Sequence, residues 1–149
     1  MKKNYIWIVA AVAAVGYFVY RKMNFAKSLV FRLTDIKPDG NLKDPHLVIS
    51  INVSNPSNQT ANIKSIVGTL YLDDRSIAVI NTATTQTILP QTDSILKVIA
   101  KPQLIGIAIL IRELLYKSKR KNINPRSYKF EGNVNVDGVL LPINESISL

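Results

Sequence analysis

The sequence predicts an all-β domain: an antiparallel β-sandwich with one helix over about residues 103–117, preceded by a single N-terminal transmembrane helix. Three observations predict this fold class. Residues 5–20 carry no charge, apolar and polar residues alternate with period two from residue 28 onward, and residues 104–116 break that alternation. Because strands and helices do not alternate along the chain, antiparallel rather than parallel pairing is expected.

The N-terminal apolar run has the composition of a membrane span. Residues 5–20 form a helix of roughly 24 Å at ~1.5 Å per residue, slightly shorter than the ~30 Å core of a bilayer. Tyr5 and Trp7 lie near one end of the run, and Tyr17 and Tyr20 near the other. This placement is typical of the aromatic side chains that flank a spanning helix.

We therefore assign residues 1–24 to a single-pass membrane anchor that contacts the lipid bilayer, and residues 25–149 to the domain. A cleaved signal peptide is the alternative, because the N-terminus is basic and residues 11–13 have the spacing of a cleavage site. The aromatic residues that precede Arg21 and Lys22 favour an uncleaved signal-anchor. The flanking charges do not decide which side of the membrane holds the domain.

The rest of the chain reads as strands with one apolar face. The alternating residues predicted to face the core in the first two strands are Leu29, Phe31, Leu33, Leu47, Ile49, Ile51 and Val53. Further strands are predicted over residues 66–72, 77–80 and 94–100. With the closing hairpin, these make about seven short strands, and residues 21–27 are the one candidate linker.

The closing hairpin has a predictable register. Asp137-Gly138 lies between two apolar runs and favours a two-residue type I′ turn. The turn then places three pairs of residues opposite each other on one face: Val136 with Val139, Val134 with Leu141, and Gly132 with Ile143.

Residues 104–116 are too long and too apolar for a surface strand. Their apolar residues fit helical spacing, and the basic residues that follow suit the C-terminal end of a helix. We expect this helix to pack over an open end of the sandwich.

The order of motifs resembles that of a known family. Residues 47–57 form an alternating strand that ends in Asn-Pro-Ser, and a strand at 68–72 follows. This resembles the late embryogenesis abundant (LEA) type 2 family, also called the WHy (water-stress and hypersensitive-response) domain, whose strand ends in Asn-Pro-Asn. Residues 130–138 resemble the family's final strand. Ser57 replaces the second Asn, and the turn at 73–75 lacks the customary Gly.

The resemblance implies a fibronectin-III-like sandwich with a non-enzymatic role in stress or desiccation protection, or in binding at a membrane surface. The Asn-Pro pair also has a purely structural explanation, since Pro56 stops strand pairing and Asn55 can bond the backbone of its own turn. The alternative function is a structural component of a larger membrane-associated assembly, such as a cell-envelope complex or a membrane-containing virion. That alternative requires protein partners.

No constellation of catalytic residues is visible, so we expect no enzyme, no cofactor and no metal. The chain has one histidine, His46, and no cysteine. His46 has no second His or Cys to share a ligand or base role, and we interpret it as a surface residue at the start of a strand. Asp73-Asp74 could bind a cation but is more typical of a solvated turn.

Of the net charge of +9, residues 112–129 carry +6, because they contain seven basic residues and one acid, and four other basic residues flank the N-terminal apolar run. The densest part is Lys117, Lys119, Arg120 and Lys121, the candidate contact residues for anionic lipid headgroups. A solvated helix end and a nucleic-acid contact are the two other interpretations. Nucleic acid is the least favoured, since no recognition motif is present.

Overall fold

The structure, a computed structural model, describes residues 4–41, 43–116 and 126–149. The elements follow one another as α1 (Asn4–Ser28), β1 (Val30–Asn41), β2 (Asp44–Asn55), β3 (Ala61–Leu72), β4 (Arg75–Ile88), β5 (Thr92–Pro102), α2 (Leu104–Tyr116), β6 (Ser127–Val136) and β7 (Val139–Ser148). The predicted helix is present as α2. The predicted strands are present too, but at 10 to 14 residues they are not short.

All strand pairing in the described chain is antiparallel, in the order β1-β2-β5-β4-β3-β6-β7. The predicted antiparallel all-β fold is therefore confirmed. The prediction of a fibronectin-III-like sandwich of two sheets needs correction, because β4 and β5 pair at Ala78–Pro102 and Val79–Lys101. This short seam joins the three strands β1-β2-β5 to the other four. The result is one sheet curled into a half-barrel, a curled β-sandwich whose two parts are joined along the pairing of β4 with β5.

The core lies inside this curl and follows the period-two pattern of the sequence. Every residue predicted to face inward in the first two strands is at most 9% exposed. The closing hairpin has the predicted register across all three pairs. Asp137 and Gly138 have φ angles of 51° and 91°, as a type I′ turn requires.

A pair of glycines makes room for the largest buried side chain in the described core. Gly68 of β3 lies opposite Gly132 of β6, and Phe130 is fully buried. A Cβ atom added at Gly68 would lie 2.5 Å from the Phe130 ring, and one at Gly132 would lie 2.9 Å from it. The missing side chains therefore create the slot that the ring fills.

The strands run between two ends of the domain. The proximal end holds the α1–β1 junction and the connections at residues 56–60, 89–91 and 137–138. The distal end holds the β1–β2 connection, the turn at 73–74 and α2. A strand of ten residues spans roughly 33 Å at ~3.3 Å per residue, so the two ends lie about that far apart.

The N-terminal helix is longer than predicted, and the proposed linker is helical. α1 continues to Ser28, so residues 21–27 belong to it, and the boundary at residue 24 falls within the helix. In the part of the chain that the structure describes, no helix has both the length and the apolarity to cross a membrane. The helix over residues 5–20 is thus present, and its transmembrane assignment stays a prediction.

Candidate functional site

α1 carries more exposed large apolar side chains than any other element of the described chain. Nine of its apolar and aromatic side chains are more than half exposed: Trp7, Ile8, Val9, Val12, Val15, Tyr17, Phe18, Val19 and Tyr20. Scattered exposed apolar residues are ordinary, but a contiguous surface of this kind is typical of a membrane or protein contact. This surface is the candidate site.

The C-terminal end of α1 is fixed to the sandwich. Ala26 is 1% exposed, and Phe25 packs against the core. The Ser28 hydroxyl donates to the Phe25 carbonyl at 2.6 Å, and the Leu29 amide donates to the Ala26 carbonyl at 3.2 Å. These bonds satisfy carbonyls that have no hydrogen-bond donor within the helix. Because only Leu29 separates α1 from β1, the direction of the helix is set by the domain.

A buried asparagine closes the proximal end next to this junction. Asn55, 1% exposed, is the buried polar side chain of the described core. Its Nδ2 lies 2.7, 3.3 and 3.1 Å from the carbonyl oxygens of Gln59, Ile88 and Leu89. Its Oδ1 accepts from the amide and hydroxyl of Ser57 at 3.2 and 2.7 Å. Asn55 therefore ties the β2–β3 loop to the β4–β5 turn.

A second polar group holds the closing hairpin against the same end. Asp137 accepts from the Asn62 backbone amide at 3.0 Å and from the Asn62 side-chain amide at 3.1 Å. The Asp137 amide donates back to the Asn62 carbonyl at 2.9 Å, and the Thr87 hydroxyl donates to Asn62 Oδ1 at 2.9 Å. Three of the proximal connections are thus held in place by hydrogen bonds.

The proximal loops lie beside the cationic part of α1. A shallow cleft is lined by Phe18, Arg21 and Lys22 of the helix and by Gln59 of the β2–β3 loop. Phe18 belongs to the apolar run, and the two cations mark its end. The end of the sandwich is therefore level with the boundary between the apolar and charged parts of α1.

The distal end is closed by an apolar helix. Ile109 of α2 packs against the core, and Gly106 lies against β4, so close that an added Cβ would be 2.0 Å from the Ile77 carbonyl oxygen. The Gln103 amide donates to the same carbonyl at 2.8 Å. The outer side of α2 stays exposed at Leu104 (87%) and Ile105 (54%). The helix lies at the distal end as expected, but its packing face differs from the expected apolar stripe, because Leu104 is exposed and Gly106 and Ile109 make the contact.

Three arginines lie in a cleft beside the distal helix. Arg75, Arg112 and Arg126 line a cleft with Leu72, Asp73 and Ile109. Nearby on β6, Lys129 pairs with Glu131, and this hydrogen bond and the attraction between the charges raise the pKa of the lysine above its usual value.

The four predicted lipid-contact residues, Lys117, Lys119, Arg120 and Lys121, lie outside the described residues. The chain on either side of them is described. Tyr116 ends α2, and the Arg126 amide and carbonyl are hydrogen-bonded to Leu149, all at the distal end. The flanks of the basic cluster are therefore at the opposite end of the domain from α1.

The other singled-out polar residues are separate from one another. His46 Nε2 lies 3.5 Å from Asp39 Oδ2 in the β1–β2 hairpin, where the ring is about one quarter exposed. Asp73 and Asp74 form the exposed β3–β4 turn, with φ angles of 48° and 65°. Across the described ranges, no three His, Asp or Glu side chains are grouped as metal ligands, and no buried side-chain nitrogen or oxygen lacks a partner.

Sequence reasoning missed the long-range role of Asn55. The Asn-Pro pair indicates a local turn, and the bond to Ser57 confirms this. The bonds to Ile88 and Leu89 join residues more than 30 positions apart, and no local pattern predicts them. Their one signal is the polar residue Asn55 at the next inward-facing position after Leu47, Ile49, Ile51 and Val53.

No protein-family model matches the chain, and no curated protein matches it. Several solved structures are similar to the chain. A protein from Archaeoglobus fulgidus is 12% identical over 78% of this chain and 94% of its own, with a TM-score of 0.50. A protein from Arabidopsis thaliana is 17% identical over 80% and 79%, with a TM-score of 0.57.

A third solved structure is that of a candidate LEA protein. It is 15% identical over 99% of this chain and 84% of its own, with a TM-score of 0.52. At these identities the likeness shows the fold alone. The chain therefore shares its curled β-sandwich with a candidate LEA protein.

Proposed function

We propose that this chain is a non-enzymatic, membrane-anchored protein of LEA type 2 kind, in which α1 inserts into a bilayer and the sandwich is held at its surface. The exposed apolar surface of α1 is the observation that carries the proposal. No described part of the chain covers this surface, and burying it in lipid removes its contact with water.

The ends of the helix support insertion. Trp7 is exposed near the start of the apolar run, and Tyr17 and Tyr20 are exposed near its end. Aromatic side chains are favoured at the interface between lipid and water. Arg21 and Lys22 follow directly, and long cationic side chains can extend from a helix towards the headgroups.

The proposed role is protection of membranes or proteins under stress. It is supported by the resemblance of residues 47–57 and 68–72 to the LEA type 2 pattern, and by the fold shared with a candidate LEA protein. The one histidine and the absence of cysteine in the sequence support a non-enzymatic role.

Alkaline carbonate extraction of membranes that contain the full chain tests the anchor. We expect the protein to stay in the membrane pellet. The double variant Val12→Glu/Val15→Glu should move to the supernatant, since it places two charges on the exposed side of α1. Val67→Glu is the matched control, because Val67 is exposed on the sandwich, and it should stay in the pellet. Wild-type protein in the supernatant would overturn the anchor.

A drying experiment tests the protective role. Liposomes carrying the full chain are dried with a labile enzyme and rehydrated, and the recovered activity is compared with that of liposomes mixed with an equal mass of albumin. We expect greater recovery with the chain. No greater recovery, together with stoichiometric co-purification of other proteins from detergent-solubilised membranes, would favour the assembly component instead.

A further inference from the structure

We propose that the proximal end of the sandwich binds the leaflet that α1 enters, so that the domain stands end-on with its β4–β5 turn in the headgroup layer. The occupant of this surface is an anionic lipid leaflet. The inference rests on the proposed membrane insertion of α1 and goes beyond it, because an anchor alone leaves the domain free to sit away from the lipid.

The cleft beside α1 sets the height of the domain above the bilayer. The cleft between α1 and Gln59 includes Phe18, which lies one helical turn before Arg21 and Lys22. If α1 inserts up to its cations, Phe18 is at the lipid boundary, and so is the loop that carries Gln59. α1 continues from Lys22 to Ser28 before β1 begins, and the β2–β3 loop that carries Gln59 reaches back along this part of the helix to the level of the cations.

Hydrogen bonds connect the loop of Gln59 to the turn that carries an exposed apolar side chain. Asn55 binds the carbonyls of both Gln59 and Leu89, and the Gln91 amide donates to the Ser57 carbonyl at 3.1 Å. The two connections therefore keep a fixed relative position. Leu89 is 58% exposed, next to Pro90. An apolar side chain at this level can insert between the headgroups to the acyl boundary, which removes its surface from water.

The surface of α1 beside this end of the domain is positively charged. Arg21, Lys22 and Lys27 are all exposed on α1 beside this end of the domain. Of the described acids at this end, Asp137 is hydrogen-bonded to Asn62, and Asp93 lies at the start of β5. The cations therefore outnumber the acids next to the junction, which favours an anionic leaflet.

The same geometry places the distal end of the domain away from the leaflet. Leu104 and the flanks of the basic cluster lie about a strand length, roughly 33 Å, from the proximal loops. An end-on domain therefore presents α2 away from the leaflet that holds α1. The hypothesis that Lys117, Lys119, Arg120 and Lys121 contact anionic lipid stays a prediction, because these residues lie outside the described ones.

Single-cysteine labelling tests the orientation, since the sequence has no cysteine to interfere. The full chain is made as Val15→Cys, Leu89→Cys and Leu104→Cys, three exposed positions on α1, the proximal end and the distal end. Each variant is labelled with NBD, an environment-sensitive fluorophore, and reconstituted in vesicles of phosphatidylcholine and phosphatidylglycerol. Quenching is measured with lipids that carry a nitroxide on the headgroup.

We expect the label at 15 to emit as in lipid, the label at 89 to be quenched at least twofold more than the label at 104, and the label at 104 to emit as in water. Equal, water-like emission at 89 and 104 with lipid-like emission at 15 would overturn the end-on contact and leave the anchor intact. Water-like emission at 15 would overturn the anchor itself. Equal quenching at 89 and 104 would indicate a domain lying on its side and would also overturn the inference.

Lipid composition tests the charge contribution. In vesicles of phosphatidylcholine alone, quenching at position 89 should fall, and in the anionic vesicles Arg21→Gln/Lys22→Gln should produce a similar fall. Unchanged quenching in both cases would overturn the anionic preference.

Discussion

At the proximal end of the sandwich, hydrogen bonds from Asn55 and Asp137 join three connections, whereas at the distal end an apolar helix lies across the opening. Hydrogen bonds are directional and fix the positions of the groups that they join. Apolar contacts have no such preferred direction. The comparison indicates that the loops beside α1 are held in one arrangement, while the distal end is closed mainly by the fit between α2 and β4.

The largest expected effect comes from breaking the proximal hydrogen bonds. Asn55→Leu removes the buried donor that binds the carbonyls of Gln59, Ile88 and Leu89 and the acceptor that binds Ser57. We expect a loss of about 3 kcal/mol in the free energy of unfolding. Urea unfolding of the full chain in detergent measures it. The matched control is Thr60→Ala, an exposed residue of the same loop, which should change stability by less than ~0.5 kcal/mol. Equal stability of the two variants would contradict the role of Asn55.

The contact between α2 and β4 predicts the next largest effect, and its sign is unusual. Replacing a glycine inside a helix with alanine ordinarily stabilises it by ~1 kcal/mol. Gly106→Ala should instead destabilise the domain by about 2 kcal/mol, because the added Cβ meets the backbone of Ile77. Gly16→Ala in α1 is the control, since nothing lies within 4 Å of its added Cβ. A stabilised Gly106→Ala variant would show that α2 does not pack as described.

The two β-turns allow a smaller, paired comparison. Gly138 in the proximal turn and Asp74 in the distal turn both have positive φ angles, 91° and 65°. Gly138→Ala should therefore cost about 1 kcal/mol, while Asp74→Gly should leave stability unchanged or raise it by up to ~1 kcal/mol. Thermal unfolding of both variants measures the difference. A destabilised Asp74→Gly variant would indicate that the carboxylate contributes more than its backbone conformation costs.

The smallest effect concerns the distal Lys129–Glu131 pair. Because Glu131 raises the pKa of Lys129, the pair's contribution to stability is fully present below the pKa of lysine in the unfolded chain. It is lost as the pH rises through the higher folded pKa. Lys129→Met should be slightly less stable than wild type at neutral pH, and the difference should shrink in alkaline solution. Unfolding curves at the two pH values check this, and a difference independent of pH would contradict it.

Much of the fold was predictable because its signals are local. The period-two pattern identified the inward-facing residues, and Asp137-Gly138 specified both a turn type and a register. The length of the strands was less predictable, because residues such as Thr82 and Thr87 pair in β4 without a strong apolar alternation. The seam between β4 and β5 was not predictable, since it joins residues that are more than 20 positions apart.

The candidate site was only partly predictable. The apolar character of α1 follows directly from its composition. Its continuation to Ser28 depends on the packing of Phe25 and Ala26 against the domain. The same limitation applies to the basic cluster. The sequence shows that these cations follow a helix, but only the course of the strands places the flanks of the cluster far from α1.

The direct passage from α1 into β1 has a mechanical consequence. If α1 is fixed in a membrane, a pull on the distal end runs along the strands and enters β1 at Val30. Backbone hydrogen bonds between β1 and β2 lie perpendicular to that direction, over the length from Val30 to Asn41. The load is then shared as shear among many bonds rather than opening them one after another. The domain is thereby suited to resist tension between the bilayer and whatever its outer end contacts.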